Sequence, residues 1–124
     1  MEKKINLGVL DRQKLFRAYV EILQPILNLR KREADVFAQL LFYNNKKKSI
    51  PDDVDRFELI FSTKFRKQIA SNLGIKDSVL QNCLSELRKK KLVSTENHIT
   101  KGYLVYPDDK GFAVTFNLNI DENR

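Results

Sequence analysis

The chain has 124 residues and a mass of 14.5 kDa, which fits one domain of ordinary size and leaves no room for a second with its own full core. A content of 42% apolar and 31% charged residues rules out a collagen-like repeat and wholesale disorder. With 23 Lys and Arg against 16 Asp and Glu, the net charge of +7 favours an acidic partner such as nucleic acid.

From Asp11, a fair N-cap, the residues Leu15, Phe16, Tyr19, Val20, Ile22, Leu23, Ile26 and Leu27 recur at helical spacing. Pro25 would clash with the turn before it and predicts a break or kink. The stripe is too wide for a half-wet face. It either packs on the rest of the domain or supports a homodimer through residues 11–27.

After Asn28-Leu29 a second helix is expected over residues 31–43, where Val36, Phe37, Leu40 and Leu41 lie opposite Lys31, Arg32, Asp35 and Gln39. Glu33 sits in its first turn, where a carboxylate favours the helix dipole. Asn44-Asn45-Lys46-Lys47-Lys48 reads as a polar loop, Pro51 and the aspartates beyond it as irregular chain. Residues 54–61 suit a short helix or an extended piece equally.

Ser62 is a good N-cap for a third helix carrying Phe65, Ile69, Ala70 and Leu73, which Gly74 ends with a left-handed turn. Asp77 or Ser78 should cap a fourth, with Leu80, Cys83, Leu84 and Leu87 as its buried stripe and Arg88-Lys89-Lys90-Lys91 at its C-terminus. From Leu92 to Ile120 the spacing shifts towards period two, clearest in Val114, Phe116, Leu118 and Ile120. Residues 103–106 and 112–115 flank Pro107-Asp108-Asp109-Lys110-Gly111, which predicts an antiparallel hairpin, and the last four residues should fray.

Two helices joined at a glycine, followed by a hairpin, is the order of a winged helix-turn-helix, and Ile69-Ala70-Ser71-Asn72-Leu73-Gly74-Ile75 followed by Leu80 and Leu84 resembles that family's pattern. Ala70 is small enough for the helix axes to approach, Gly74 makes the turn, Ile75 plugs the angle, and Leu80 and Leu84 anchor the second helix. The resemblance covers roughly residues 29–118. It implies an α+β, mainly α fold: an N-terminal helical extension over residues 1–28, a winged helix-turn-helix domain over 29–120 with a C-terminal β-hairpin wing, and a tail at 121–124.

The resemblance also implies a protein that binds double-stranded DNA by laying helix 77–90 in the major groove. Ser78, Val79, Gln81, Asn82 and Ser85 lie off the buried stripe and are the candidate base contacts, with the Gln81 and Asn82 amides suited to two hydrogen bonds on adenine. Lys64, Arg66, Lys67, Lys76 and Arg88 are the candidate phosphate contacts. Eight basic against two acidic side chains fall in residues 62–93, so most of the excess charge lies on this segment.

Where many family members have glycine after the reading helix this chain has Lys91, which costs on the order of 1 kcal/mol if left-handed. Asp108 and Asp109 make the wing tip a poor phosphate contact, and Lys101 near the hairpin base is the better candidate. The reading helix lacks the arginine that most often reads guanine.

Nothing in the residues calls for catalysis, a cofactor or a metal. His98 is the single histidine, so a triad or histidine-rich metal site lacks parts, and its expected place is a strand or loop facing water. Cys83 falls on a buried stripe. Asp52, Asp53, Asp55 and Glu58 match no calcium loop and suit loop capping. The four glycines stand alone, so no phosphate-cradling loop exists and no small-molecule ligand is evident. Phe37, Phe42, Tyr43, Phe57, Phe61 and Phe65 are read as core, with base stacking as the alternative. Lys46-Lys47-Lys48 suits phosphate contact or simple solvation of a loop.

A lone cysteine excludes an internal disulfide and points to a reducing compartment. No apolar run approaches the about 20 residues that cross a bilayer, and the Met-Glu-Lys-Lys-Ile-Asn start lacks a signal-peptide apolar stretch. The expectation is a non-enzymatic transcriptional regulator with no membrane partner, cytoplasmic in a bacterial or phage-infected cell or nucleoid-associated. Two alternatives stand beside it: a phage- or plasmid-type replication initiator or organiser, and a non-catalytic protein-interaction or structural winged-helix module.

Overall fold

In the computed structural model, residues 11–107 are described, and they form five helices: α1 (Arg12–Leu27), α2 (Lys31–Lys46), α3 (Asp53–Ile60), α4 (Thr63–Leu73) and α5 (Asp77–Lys89). A single 3₁₀ turn follows at Lys101–Tyr103.

Each helix begins and ends for a local reason. The Asp11 carboxylate accepts from the Lys14 N–H at 2.9 Å and starts α1. Pro25 does not break that helix, which runs two residues further. Asn28, left-handed at φ 51, stops it, its N–H reaching the Gln24 carbonyl at 2.8 Å. Glu33 accepts from the Arg30 N–H at 3.0 Å at the start of α2. Asp52 caps α3 through the Asp55 N–H at 3.1 Å, and residues 54–60 are helical with Phe61 as the C-cap.

Helix α2 lies at the centre, packing against α1, α3, α4 and α5. That position explains why it is buried nearly all round, with Ala34, Val36, Phe37, Ala38, Leu40, Leu41 and Tyr43 inside. From α1, Phe16, Tyr19, Val20, Leu23 and Leu27 enter the same core, so most of the wide N-terminal stripe is covered within the chain.

The expected loop at residues 44–48 is helical through Lys46, because Asn44 finds partners inside the fold. Asn44 is fully buried and accepts from Arg56 Nε at 2.6 Å. The buried Arg56 guanidinium also donates to the Ile50 carbonyl at 2.9 Å, to the Tyr106 hydroxyl at 3.2 Å and to the Asp53 carboxylate. A charge that deep is tolerable only because each part of the fork has an acceptor. The network clamps the end of α2, the following loop, α3 and the chain at Tyr106 together.

The α+β winged helix-turn-helix with its β-hairpin is corrected by this architecture. No strand occurs among the described residues, and the one β feature is an isolated antiparallel bridge between Val93 and Ile99. Residues 94–97 reverse the chain there: Ser94 donates to the His98 carbonyl at 2.8 Å, and Ser94 Oγ accepts from the Glu96 and His98 N–H groups. The expected first arm, residues 103–106, is a strap over the helices instead. Tyr19 donates its hydroxyl to the Tyr103 carbonyl at 3.2 Å, Arg12 donates to the Pro107 carbonyl at 3.1 Å, and the Tyr103 ring stands edge-on to Phe37 at 6.0 Å. Side chains of α1 thus satisfy backbone groups that a partner strand would otherwise take. The second arm, residues 112–115, and the tip at Asp108 and Asp109 lie outside the described residues.

Candidate nucleic-acid interface

Helices α4 and α5 meet at a tight turn built as the residues demand. Ser62 Oγ caps α4 through the Phe65 N–H. Gly74 is left-handed at φ 64, its N–H reaching the Ser71 carbonyl at 3.2 Å while the Ile75 N–H reaches the Ala70 carbonyl at 3.0 Å. These two bonds satisfy carbonyls that a helix end leaves open, and they turn the chain sharply into α5. Neither Asp77 nor Ser78 caps that helix. Lys76 holds the N-cap position with no side-chain bond, and Asp77 is the first helical residue, its charge near the positive end of the dipole.

Leu80, Cys83, Leu84 and Leu87 are buried, as the stripe predicts. The opposite face of α5 carries Ser78, Asn82, Ser85 and Lys89 at i, i+4, i+7 and i+11, all exposed. Gln81 is half-buried beside them, and Val79 packs partly against the core.

An open groove of about 600 Å³ separates this face from the start of α2. Val79, Asn82, Ser85 and Lys89 line one side, and Arg30, Lys31 and Arg32 line the other. The two carboxylates there are already occupied: Glu86 pairs with Lys89 at 3.2 Å, and Glu33 receives Lys90 Nζ at 2.9 Å. Arg32 lies 3.8 Å from Asp35, whereas Arg30 and Lys31 form no side-chain ion pair among the described residues. The groove therefore has uncompensated positive charge next to an amide. Sequence reasoning missed Arg30, Lys31 and Arg32 because they stand far along the chain from α5. Their being three cations in a row was the available signal.

Burial works against ionising Glu33, yet the Lys90 ammonium and the Arg30 N–H outweigh it and hold the carboxyl below its usual range. Burial, and then the nearby Glu33 charge, push the Cys83 thiol up, which disfavours the thiolate a nucleophile needs.

The predicted phosphate contacts divide. Lys67, Lys76 and Lys101 are exposed. Arg66 is half-buried and donates to Thr63 Oγ1 at 3.2 Å. Arg88 turns its fork onto Asn97 Oδ1, at 3.1 and 2.6 Å, bracing the turn after α5. Lys64 faces a different groove at the far end of α2, shared with Lys46, Lys47 and Phe65. The 16 residues of α2 put about 24 Å between those two ends at a rise of about 1.5 Å per residue.

His98 is half-buried with its ring 5.6 Å from Phe57, in contact with the core's edge and not simply facing water. Asp52 and Asp53 serve the start of α3 and Arg56. Among the described residues no three His, Cys, Asp or Glu side chains converge on a metal position, and no helix is long and apolar enough to cross a membrane. No family model, curated protein or solved structure matches this chain.

Proposed function

We propose that the chain binds duplex DNA with the outward face of α5 and serves as a transcriptional regulator that does no chemistry itself, in the cytoplasm or on the nucleoid of a bacterial or phage-infected cell. The observation that carries this reading is the pairing of the exposed Asn82 amide with unpaired cations across one groove. An amide on a helix can make two hydrogen bonds to an adenine edge, and the unpaired Arg30 and Lys31 can hold phosphates beside it.

Selection of bound duplexes from a random pool, followed by anisotropy titrations across salt, tests the proposal. Affinity should fall linearly on log-log axes, with a slope of about −0.9 for each phosphate neutralised. Asn82→Ala should reduce discrimination at one position by about tenfold or more, while Arg30→Ala should weaken all sequences alike and flatten the salt slope by about one. Absence of binding to every duplex at low salt overturns the proposal.

A homodimer through residues 11–27 would rest on what α1 leaves outside the core, namely half-buried Leu15 and Ile22 and Ile26 at 62% exposure. Sedimentation at micromolar concentration should then show a dimer that Ile26→Lys splits, and a wild-type monomer excludes it.

A further inference from the structure

A second cationic surface lies at the other end of α2. Two open grooves, of about 730 and 420 Å³, run side by side there and share Gln13, Phe42 and Lys46. Lys14 and Lys48 line the first, and Lys47 and Lys64 line the second. Asp11 is the one carboxylate among the residues described along both. It is engaged as the α1 cap and lies 3.9 Å from Lys14 Nζ. Lys46, Lys47, Lys48 and Lys64 make no ion pair among the described residues.

These lysines are more than a solvated run. They converge from the end of α2, the loop after it and α4, and aromatic rings form the floor beneath them. Phe42, Tyr43 and Phe65 stand edge to face at 5.0 and 5.2 Å, with Phe42 and Phe65 only partly buried. Lys46 Nζ sits 5.9 Å from the Phe42 and Tyr43 ring centres, and Lys47 Nζ sits 5.7 Å from that of Phe65. Cation–π attraction therefore places ammonium groups over the floor without neutralising them.

This surface offers rings to bases, and a duplex keeps its bases stacked inside itself. The surface suits one strand, whose phosphates can lie along the lysines and whose free bases can reach half-open rings. Phe42, Phe65 and the lysine run, three features of the sequence that the duplex reading leaves unused, meet in this one place.

We propose that the grooves at the C-terminal end of α2 bind single-stranded nucleic acid, independently of the duplex face on α5. The test is anisotropy with a fluorescein-labelled oligothymidylate about 15 nucleotides long, a length in the range of known single-strand sites. Wild-type protein should bind it with a log-log salt slope of about −0.7 per phosphate contacted. The triple variant Lys46→Gln, Lys47→Gln, Lys64→Gln should bind it at least about tenfold more weakly, with a slope reduced by about two. Arg30→Ala, on the duplex face, should change that affinity less than about twofold.

Thermal unfolding of the triple variant confirms that it is folded, and the exposed single change Lys64→Gln gives a second measure, with an expected slope reduction of about 0.7. The proposal is overturned if the oligothymidylate fails to bind at low salt, if folded triple variant binds it as wild type does, or if Arg30→Ala weakens it as much as the triple change. Loss of duplex binding alone would refute the α5 reading and leave this one standing.

Discussion

Lys91 holds a left-handed backbone at φ 66, where a side chain costs about 1 kcal/mol and glycine costs far less. The conformation is imposed by the bonds that end α5, Lys91 N–H to the Arg88 carbonyl at 3.1 Å and Leu92 N–H to the Leu87 carbonyl at 3.0 Å, with Leu87 and Leu92 both buried. Lys91→Gly should therefore raise stability by about 0.5–1 kcal/mol in chemical denaturation. Glu33 makes an equally specific forecast. Its carboxyl is more acidic folded than unfolded, so its contribution is full above the ordinary glutamate range and disappears as pH falls through the lowered folded value. Glu33→Gln should lower stability by about 1–2 kcal/mol at neutral pH, with Lys90 half exposed to screening solvent, and the gap to wild type should close in acid. A gap that stays constant with pH would show that the ion pair is not its source.

At the level of elements, the turn between α4 and α5 depends on backbone freedom and not on space. A methyl group built on Gly74 would meet nothing within 4 Å, so the cost of Gly74→Ala is conformational, about 1 kcal/mol. Denaturation should show that loss while duplex affinity of the folded fraction stays unchanged. The caps at Asp11 and Ser62, the Gly74 stop and the buried stripe of α5 were all legible, because a cap or a helical period is a property of residues a few positions apart. The end of α2 was not. Asn44 and Asn45 look like loop residues until Arg56 is brought against Asn44, and the two lie 12 positions apart. The apolar run at residues 103–106 misled for a related reason, since it leaves a 3₁₀ turn and is held by Tyr19 and Arg12 in place of a partner strand.

Across the molecule, charge is partitioned by the packing around α2. One end gathers Arg30, Lys31 and Lys89 beside the Asn82 amide, and the other gathers Lys46, Lys47 and Lys64 over aromatic rings. Acidic Asp53, Asp55 and Glu58 stay on α3. A protein with two separate cationic grooves should show additive losses: combining Arg30→Ala with the triple lysine change should weaken duplex and single strand each by no more than its own groove's share. Strong coupling between the two in titrations would mean a single continuous site.

Net charge, the caps at Asp11 and Ser62, the stop at Gly74, the core stripe of α5 and the exposure of Asn82 follow from composition and from contacts within a helical turn or two, where short-range sterics and hydrogen bonding dominate. Which cations share a groove, why Asn44 is buried, and why residues 103–106 form a strap depend on partners 12 or more positions away. Those pairings are chosen by which apolar surfaces can be buried together, and no local pattern encodes that choice.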